Sequence, residues 1–241
     1  MPAVGDGEVL VRVRSASLHP DVWHVVTGRP YVLRLMGAGL FNPRSPIPGT
    51  DMAGVVESVG KGVSRFRPGD AVFGETRGAH QWTHGGAFAE YVSVRQDWLA
   101  LKPDDVAFEQ AASVPTSGFI TLLNLRGGSV IRAGARVLVN GAGGGVGALA
   151  LQIAKAFGAH VTAVDSAGKL DMLRSLWVKP LRLGSSSAPT RQESMAALAE
   201  LLAAGKITPI IDSIYPLAEI HEAFRHMIED ELSGKVILTA G

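Results

Sequence analysis

The sequence predicts an α/β-plus-β protein, with a compact β-barrel or sandwich leading into a doubly wound α/β unit. Three observations carry this expectation. Short alternating strands separated by Gly and Pro turns fill roughly the first hundred residues. A continuous apolar strand, "RVLVNGA", then runs straight into a Gly-rich turn and a helix. The order strand–helix–strand–helix follows.

Taken in order, residues 8–14 alternate, with Val9, Val11 and Val13 on one face and Arg12 and Arg14 on the other. "GTDMAGVVESVG" and "AVFGE" are β-rich and joined through the turn Pro68-Gly69-Asp70, and "GAFAEYVSV" is a further strand. Residues 108–125 read as helical, with Pro115 kinking the helix or dividing it in two. After the turn at Ala133-Gly134, "RVLVNGA" has the unbroken apolar character of a strand buried on both faces. The Gly-rich turn leads into a helix ending near Phe157, then the strand "HVTAVDS" and the helix "KLDMLRSL". Residues 177–190 allow one short strand and a polar loop. Thr190 with Glu193 forms a capping-box pattern at the head of an amphipathic helix. Pro209 points to an edge position for the strand "ITPIIDSIY", and Pro216 is placed as the first residue of a last helix. The strand "KVILT" closes the chain, and no internal repeat is visible.

Composition narrows the function. The 241 residues carry a formal net charge of +1, which gives no basis for attraction to nucleic acid or to an anionic membrane. There are no cysteines, which removes disulfides, thiolate zinc sites, iron–sulfur clusters and a cysteine nucleophile. The N-terminus lacks the basic and apolar regions of a signal peptide, and the apolar stretch at residues 146–159 is too short to span a bilayer. A cytoplasmic location is expected.

The chemistry concentrates at residues 140–156, "NGAGGGVGALALQIAKA". In such a turn one glycine permits the tight bend, another admits the pyrophosphate and a third lets helix and strand pack closely. The phosphates then meet free N–H groups at the positive end of the helix. Gly141, Gly144 and Gly147 have this spacing, and Asp165 closes the next strand, where an acid accepts hydrogen bonds from ribose hydroxyls. No P-loop Gly-Lys-Ser/Thr is present, and "GSSSA" lacks the last glycine of a nucleophile elbow. His221 and His226 lie five apart, about 140° round a helix, so they do not face one metal and read as surface or packing residues. His80 and His84 sit in a Gly-flanked loop with no further ligand pattern.

"PGTDMAGVVESVGKGVSRFRPGDAVFGE", "GGAFAEYV", "VLVNGAGGGVGALALQIAKAFGAHVTAV" and "LLAAGKITPIIDSIYPLAEIHEAF…GKVILT" together resemble the zinc-free quinone oxidoreductase branch of the medium-chain dehydrogenase/reductase superfamily. The resemblance implies a GroES-like β-barrel substrate domain over residues 1–105 and a truncated Rossmann NAD(P)-binding domain over 106–190. A C-terminal segment, 191–241, would return to the substrate domain. It implies hydride transfer from NAD(P)H to a quinone, enone or similar small electrophile, with no metal. Gly141, Gly144, Gly145, Val146 and Gly147 would hold the pyrophosphate, Asp165, Ser166 and Lys169 the ribose end, and Thr121 would lie near the nicotinamide. "SLHPDVW" matches the family's "SVNPVDW" on the substrate side, which makes His19 and Trp23 substrate-side candidates, with Tyr31 following in that wall. Thr121 as a helix residue and Trp23 as a core residue are equally good readings. Which residue is catalytic stays open.

Three departures stand out. His19 replaces the family's Asn and Val22 its Asp, at positions expected to face the substrate. The N-terminal strand pair is mostly missing. After Leu176 the chain passes directly to Trp177, without the segment holding Rossmann strands 3, 4 and 5. In a sheet ordered 3-2-1-4-5-6 this exposes strand 2 and takes away the partner of strand 1 unless residues 178–183 move in beside it. A homodimer could cover the cut sheet, and the alternative to an enzyme is a catalytically impaired deletion variant or pseudoenzyme. Asp165 favours NAD(H), whereas Ser166 and Lys169 and the resemblance tilt the choice slightly to NADP(H).

Overall fold

The computed structural model describes residues 1–29, 31, 47–76, 86–127, 131–176 and 190–241. The hub of the larger sheet is β1 (Glu8–Ser17). One side of β1 pairs antiparallel with β2 (Asp51–Val59) along its length. Its other side is shared: residues 8–12 pair with β4 (Tyr91–Arg95), and residues 15–17 with β9 (Lys235–Thr239). β3 (Ala71–Glu75) and β5 (Leu99–Leu101) extend the sheet beyond β2, and β8 (Ile211–Pro216) lies parallel to β9 at the other end. The path is β5-β3-β2-β1-β9-β8, with β4 set against β1.

The described strands therefore form an open sheet, where the sequence led us to expect a barrel or sandwich. The reason lies in β1. Once its second side is divided between β4 and β9, the sheet grows outward to β8 and does not curl back to β5. One of the two register irregularities in the β1–β2 ladder, at Val13/Ser15, falls where β1 passes from β4 to β9. The turn before β3 forms as expected: Gly69 has φ 93° and the Arg67 N–H donates to Asp70 Oδ2 at 3.0 Å.

The helical half follows its breakers and caps. Pro115 divides the helical stretch into α2 (Phe108–Ala112) and α3 (Pro115–Gly127), taking the first position of the second helix, where its missing N–H is harmless. α6 (Arg191–Ala203) carries the expected capping box: Thr190 Oγ1 accepts from the Glu193 N–H, and the Thr190 N–H donates to Glu193 Oε2. α2, α3, α4 (Gly145–Ala156) and α6 enclose a core that includes Leu122, Ile153, Met195 and Leu198. Arg191 ties α6 to the sheet through an ion pair with the buried Glu75 on β3, and its guanidinium stacks over Phe119 and Trp98.

Three expectations need correction. β6 (Arg136–Asn140) and β7 (His160–Val164) pair in parallel as a separate two-stranded sheet, and β6 is not buried on both faces: Leu138 is 68% exposed. Its apolar run matches a strand with covers that the described residues do not supply. Residues 178–183, expected as its neighbour, lie outside the described residues. Pro216 does not open the last helix. It ends β8, and a single 3₁₀ turn separates it from α7 (Ile220–Glu229). Val22, expected to face the substrate, is fully buried in the core beneath the sheet. β8 does lie at the edge, with Pro209 just before it.

Candidate active site

The three glycines of the turn answer three separate demands. Gly141 has φ 72°, which a side chain rarely adopts. A Cβ on Gly147 would come within 2.0 Å of the Gly141 carbonyl oxygen, so α4 can only approach β6 this closely with glycine there. Gly144 is different. It is the N-cap of α4 with φ −79°, and a Cβ there would meet nothing nearer than 3.6 Å. Neither backbone strain nor packing requires glycine at that position; the open space beside it does. The first helical bond runs from the Ala148 N–H to the Gly144 carbonyl, which leaves the N–H groups of Gly145, Val146 and Gly147 without intrahelical acceptors. The donors, the helix dipole and the room beside Gly144 together fit the pyrophosphate of a dinucleotide.

Gly144, Gly145 and Val146 open onto a cleft of about 410 Å³. Its other walls come from distant parts of the chain: Leu18, His19 and Pro20 after β1, Lys169 after β7, and residues between Met227 and Val236 around the start of β9. A parallel bridge between Gly144 and Gly234 holds the turn against the C-terminal segment.

Beyond the turn, at the end of β7, Asp165 Oδ2 accepts from the Gly143 N–H at 2.7 Å and Oδ1 from the Ser166 N–H at 2.8 Å, with Lys169 Nζ 3.9 Å from Oδ1. The Gly143 N–H is the main cause that holds the carboxyl below its ordinary value, against the opposing effect of burial. Ser166 Oγ donates across the cleft to Glu231 Oε1 at 2.5 Å.

At the floor, the aliphatic chain of Lys235 lies against Gly145, where a Cβ would meet its Cδ at 2.9 Å. Its ammonium is buried, 3.9 Å from Asp51 Oδ2, and donates to the Leu18 carbonyl at 3.4 Å. Burial holds Lys235 below the usual lysine value, partly offset by Asp51 and Asp21. Asp51 is fully buried and also accepts from the Thr116 N–H and hydroxyl and from Ser17 Oγ. His19 is 8% exposed; its Nδ1 contacts Asp21 Oδ1, and its Nε2 is buried with no hydrogen-bond partner.

The cleft therefore unites Gly144, Gly145, Val146, Lys169 and His19 from the predicted set. Asp165 and Ser166 adjoin it through Lys169 and Glu231. Others lie elsewhere. Thr121 is buried in α3 with its hydroxyl unpartnered. Trp23 packs on Phe224 of α7, with ring centroids 6.3 Å apart. Tyr31 is 66% exposed and does not line the cleft. His80 and His84 lie outside the described residues, among which no group of three or more His, Cys, Asp or Glu side chains could hold a metal.

Sequence reasoning missed Asp21, Asp51, Glu231 and Lys235. Asp51 and Lys235 had a weak signal, since each opens an otherwise apolar strand. His226 also has more to do than fill a surface. Its Nε2 meets Asp212 Oδ2 at 2.7 Å and its Nδ1 meets Asp230 Oδ2 at 2.6 Å, while Asp212 Oδ1 accepts from the Ser233 N–H. This clamp fixes the segment that walls the cleft. Asp230, four residues along the same helix, was its visible signal.

A Gly-rich βαβ turn facing a mostly antiparallel sheet defines the class: a dehydrogenase-like fold. Residues 5–104 match the alcohol dehydrogenase GroES-like domain, and residues 89–238 match the zinc-binding dehydrogenase model. The chain belongs to the zinc-binding dehydrogenase family. It is 34% identical over 161 residues to a quinone oxidoreductase of Sus scrofa, covering 67% of this chain and 45% of the relative. It is also 34% identical over 183 residues to a 2-methylene-furan-3-one reductase of Solanum lycopersicum, covering 73% and 44%. The chain thus spans about half the length of the curated relatives it matches. An alcohol dehydrogenase superfamily protein from Novosphingobium aromaticivorans superposes with a TM-score of 0.83 at 24% identity, over 100% of this chain and 94% of that one, which establishes a common fold.

The clamp predicts a pH dependence. The hydrogen bonds that the His226 ring donates to Asp212 and then Asp230 raise its pKa above 6.5. A raised folded-state value means the stabilisation is complete below the unfolded value, about 6.5, and is lost as pH rises through the folded one. Melting temperature should therefore fall between pH 6 and the pH at which folded His226 deprotonates. His226→Gln should flatten that limb while leaving the acid limb unchanged; an unchanged profile in the variant would contradict the clamp.

Proposed function

We propose that the chain is an NAD(P)H-dependent oxidoreductase that reduces a quinone, an enone or a similar carbonyl compound without zinc. The observation that carries this reading is the open cradle at Gly144, whose free helix N–H groups share one cleft with His19 and Lys235. The names of the relatives, quinone oxidoreductase and furanone reductase, supply the substrate class. The absence of cysteine argues against the thiolate zinc sites of other family members.

When bound, the nicotinamide supplies the hydride. The rest of the work belongs to the chain. Gly145, Val146 and Gly147 hold the pyrophosphate through backbone N–H groups, and Gly144 leaves room for it. Lys235 places a positive charge at the floor of the cleft, where negative charge on a substrate oxygen is stabilised. At the ribose end Lys169 favours a 2′-phosphate, while Asp165 and Glu231 oppose it; the family likeness tilts the choice slightly to NADP(H). We place the protein in the cytoplasm, acting on a small molecule and forming a homodimer, without nucleic-acid or membrane partners.

A second reading, an impaired deletion variant or pseudoenzyme, draws support from the exposed Leu138 on the two-stranded β6–β7 sheet. The two readings separate on one assay, oxidation of NADPH followed by absorbance over a panel of quinones and enones. The first expects turnover; NADPH binding without turnover would favour the second.

Gly144→Asp should abolish binding and turnover together, because it puts a carboxylate where the phosphates sit. It should not lower thermal stability, since the backbone there suits any residue and Asp is a good N-cap. Retained NADPH affinity in this variant would contradict the assignment. Glu231→Gln should raise the affinity for NADPH relative to NADH by about 3- to 10-fold, the effect of removing one partly screened like charge. An unchanged ratio by calorimetry would show that Glu231 does not face the 2′ position.

A further inference from the structure

His19 has the features of an oriented proton donor. It sits between the end of β1 and the first residue of α1 (Pro20–Thr27), and its ring lines the cleft beside the phosphate turn. Asp21, in the first turn of α1, holds Nδ1. A carboxylate only accepts, so Nδ1 carries a proton in either charge state of the ring. That contact fixes both the orientation and the tautomer, and leaves Nε2 as the atom that can exchange a proton.

Nε2 is shielded from solvent and has no partner among the described residues. A buried polar atom left unpaired costs about 1–3 kcal/mol. A histidine that served packing alone would gain by exposing that atom or by finding it an acceptor. Here Asp21 holds the ring so that Nε2 stays buried and unpaired, in a residue that lines the cleft. The charged groups around it are Asp21 in the first turn of α1 and, at the cleft floor, Lys235 with its partner Asp51; Lys169, Asp230 and Glu231 line the cleft elsewhere.

We propose that His19 is a catalytic residue, the acid that protonates the reduced substrate through Nε2, with Asp21 as its positioning residue. The proposal rests on the hydride-transfer reading above. Addition of hydride to the β-carbon of an enone leaves an enolate, two electrons more reduced than the substrate and one proton short. That proton passes from His19 Nε2 to the enolate. The N–H bond breaks, the new O–H or C–H bond forms, and the imidazole is left neutral with its remaining proton on Nδ1 against Asp21. After product release, a movement of the ring or of the cleft wall lets water restore the Nε2 proton. The nicotinamide is the species oxidised.

The test compares wild type, His19→Gln and Asp21→Asn in four measurements: NADPH affinity by calorimetry, kcat with a 2-alkenal, its solvent deuterium isotope effect, and the ring-nitrogen NMR signals of His19. Positioned general acids contribute about 10²–10⁴-fold. His19→Gln should lower kcat by at least about 10²-fold with NADPH affinity within about twofold of wild type, and the solvent isotope effect should change. In wild type the neutral ring should show a single Nδ1-protonated tautomer; in Asp21→Asn that preference should weaken and kcat should fall.

If His19→Gln keeps the wild-type kcat and isotope effect, or if wild-type His19 shows the Nε2-protonated tautomer, this assignment is wrong while hydride transfer stands. If both variants lose NADPH binding along with turnover, His19 supports the cleft and the acid role is rejected. A wild type that binds NADPH but reduces no member of the panel overturns the hydride-transfer reading and this assignment with it.

Discussion

The cleft depends on one buried carboxylate. Asp51 opens β2 and is fully enclosed, where an ionised group without partners would cost several kcal/mol. It is satisfied from three directions: Ser17 at the end of β1, the Thr116 N–H and hydroxyl at the start of α3, and the ammonium of Lys235 at the start of β9. These are the points where the sheet meets the helices and where the chain returns from its C-terminal segment. Meeting Asp51's needs therefore holds together the end of β1, the start of α3 and the start of β9. His19 and Gly145 follow from that arrangement, since His19 comes two residues after Ser17 and Gly145 lies against the Lys235 chain.

The same arrangement accounts for the charge of the site. Lys235 is buried with only long contacts to Asp51 and Leu18, so its positive charge is incompletely matched inside the protein. Incomplete pairing destabilises the folded chain, but it leaves the cleft able to attract a negative group. The phosphate turn adds a second source of positive potential from its N–H groups. Asp165 and Glu231 place negative charge at the other end of the cleft, beside Ser166, and the His226 clamp sets the position of Glu231 through the neighbouring Asp230.

Much of this was legible in the sequence, because local rules dominate where the turn and the helices form. The spacing of Gly141, Gly144 and Gly147 predicted a tight strand-to-helix turn, and the structure gives Gly141 its positive φ and Gly147 its close helix–strand approach. Pro115 divided the helix, and Thr190 with Glu193 capped the next one. What failed was non-local. The partners of β1 depend on which distant strands dock on it, so an open sheet could not be told from a barrel. Val22 shares a short helix with Asp21 and Trp23, and helical periodicity did not reveal which of them the core would take. Asp51 and Lys235 lie far apart in the chain, and neither is unusual alone; only folding makes them a pair. The apolar run of β6 led to an expectation of burial on both faces that fails among the described residues, where Leu138 is exposed and only β7 pairs with the strand.

We propose that three remote stretches of chain form one dinucleotide cleft. Hydrogen–deuterium exchange with and without saturating NADPH tests it most directly. The account predicts slowed exchange in peptides covering residues 17–20, 141–147 and 227–236 together. Slowing confined to residues 141–147, or absent from all three, would contradict it.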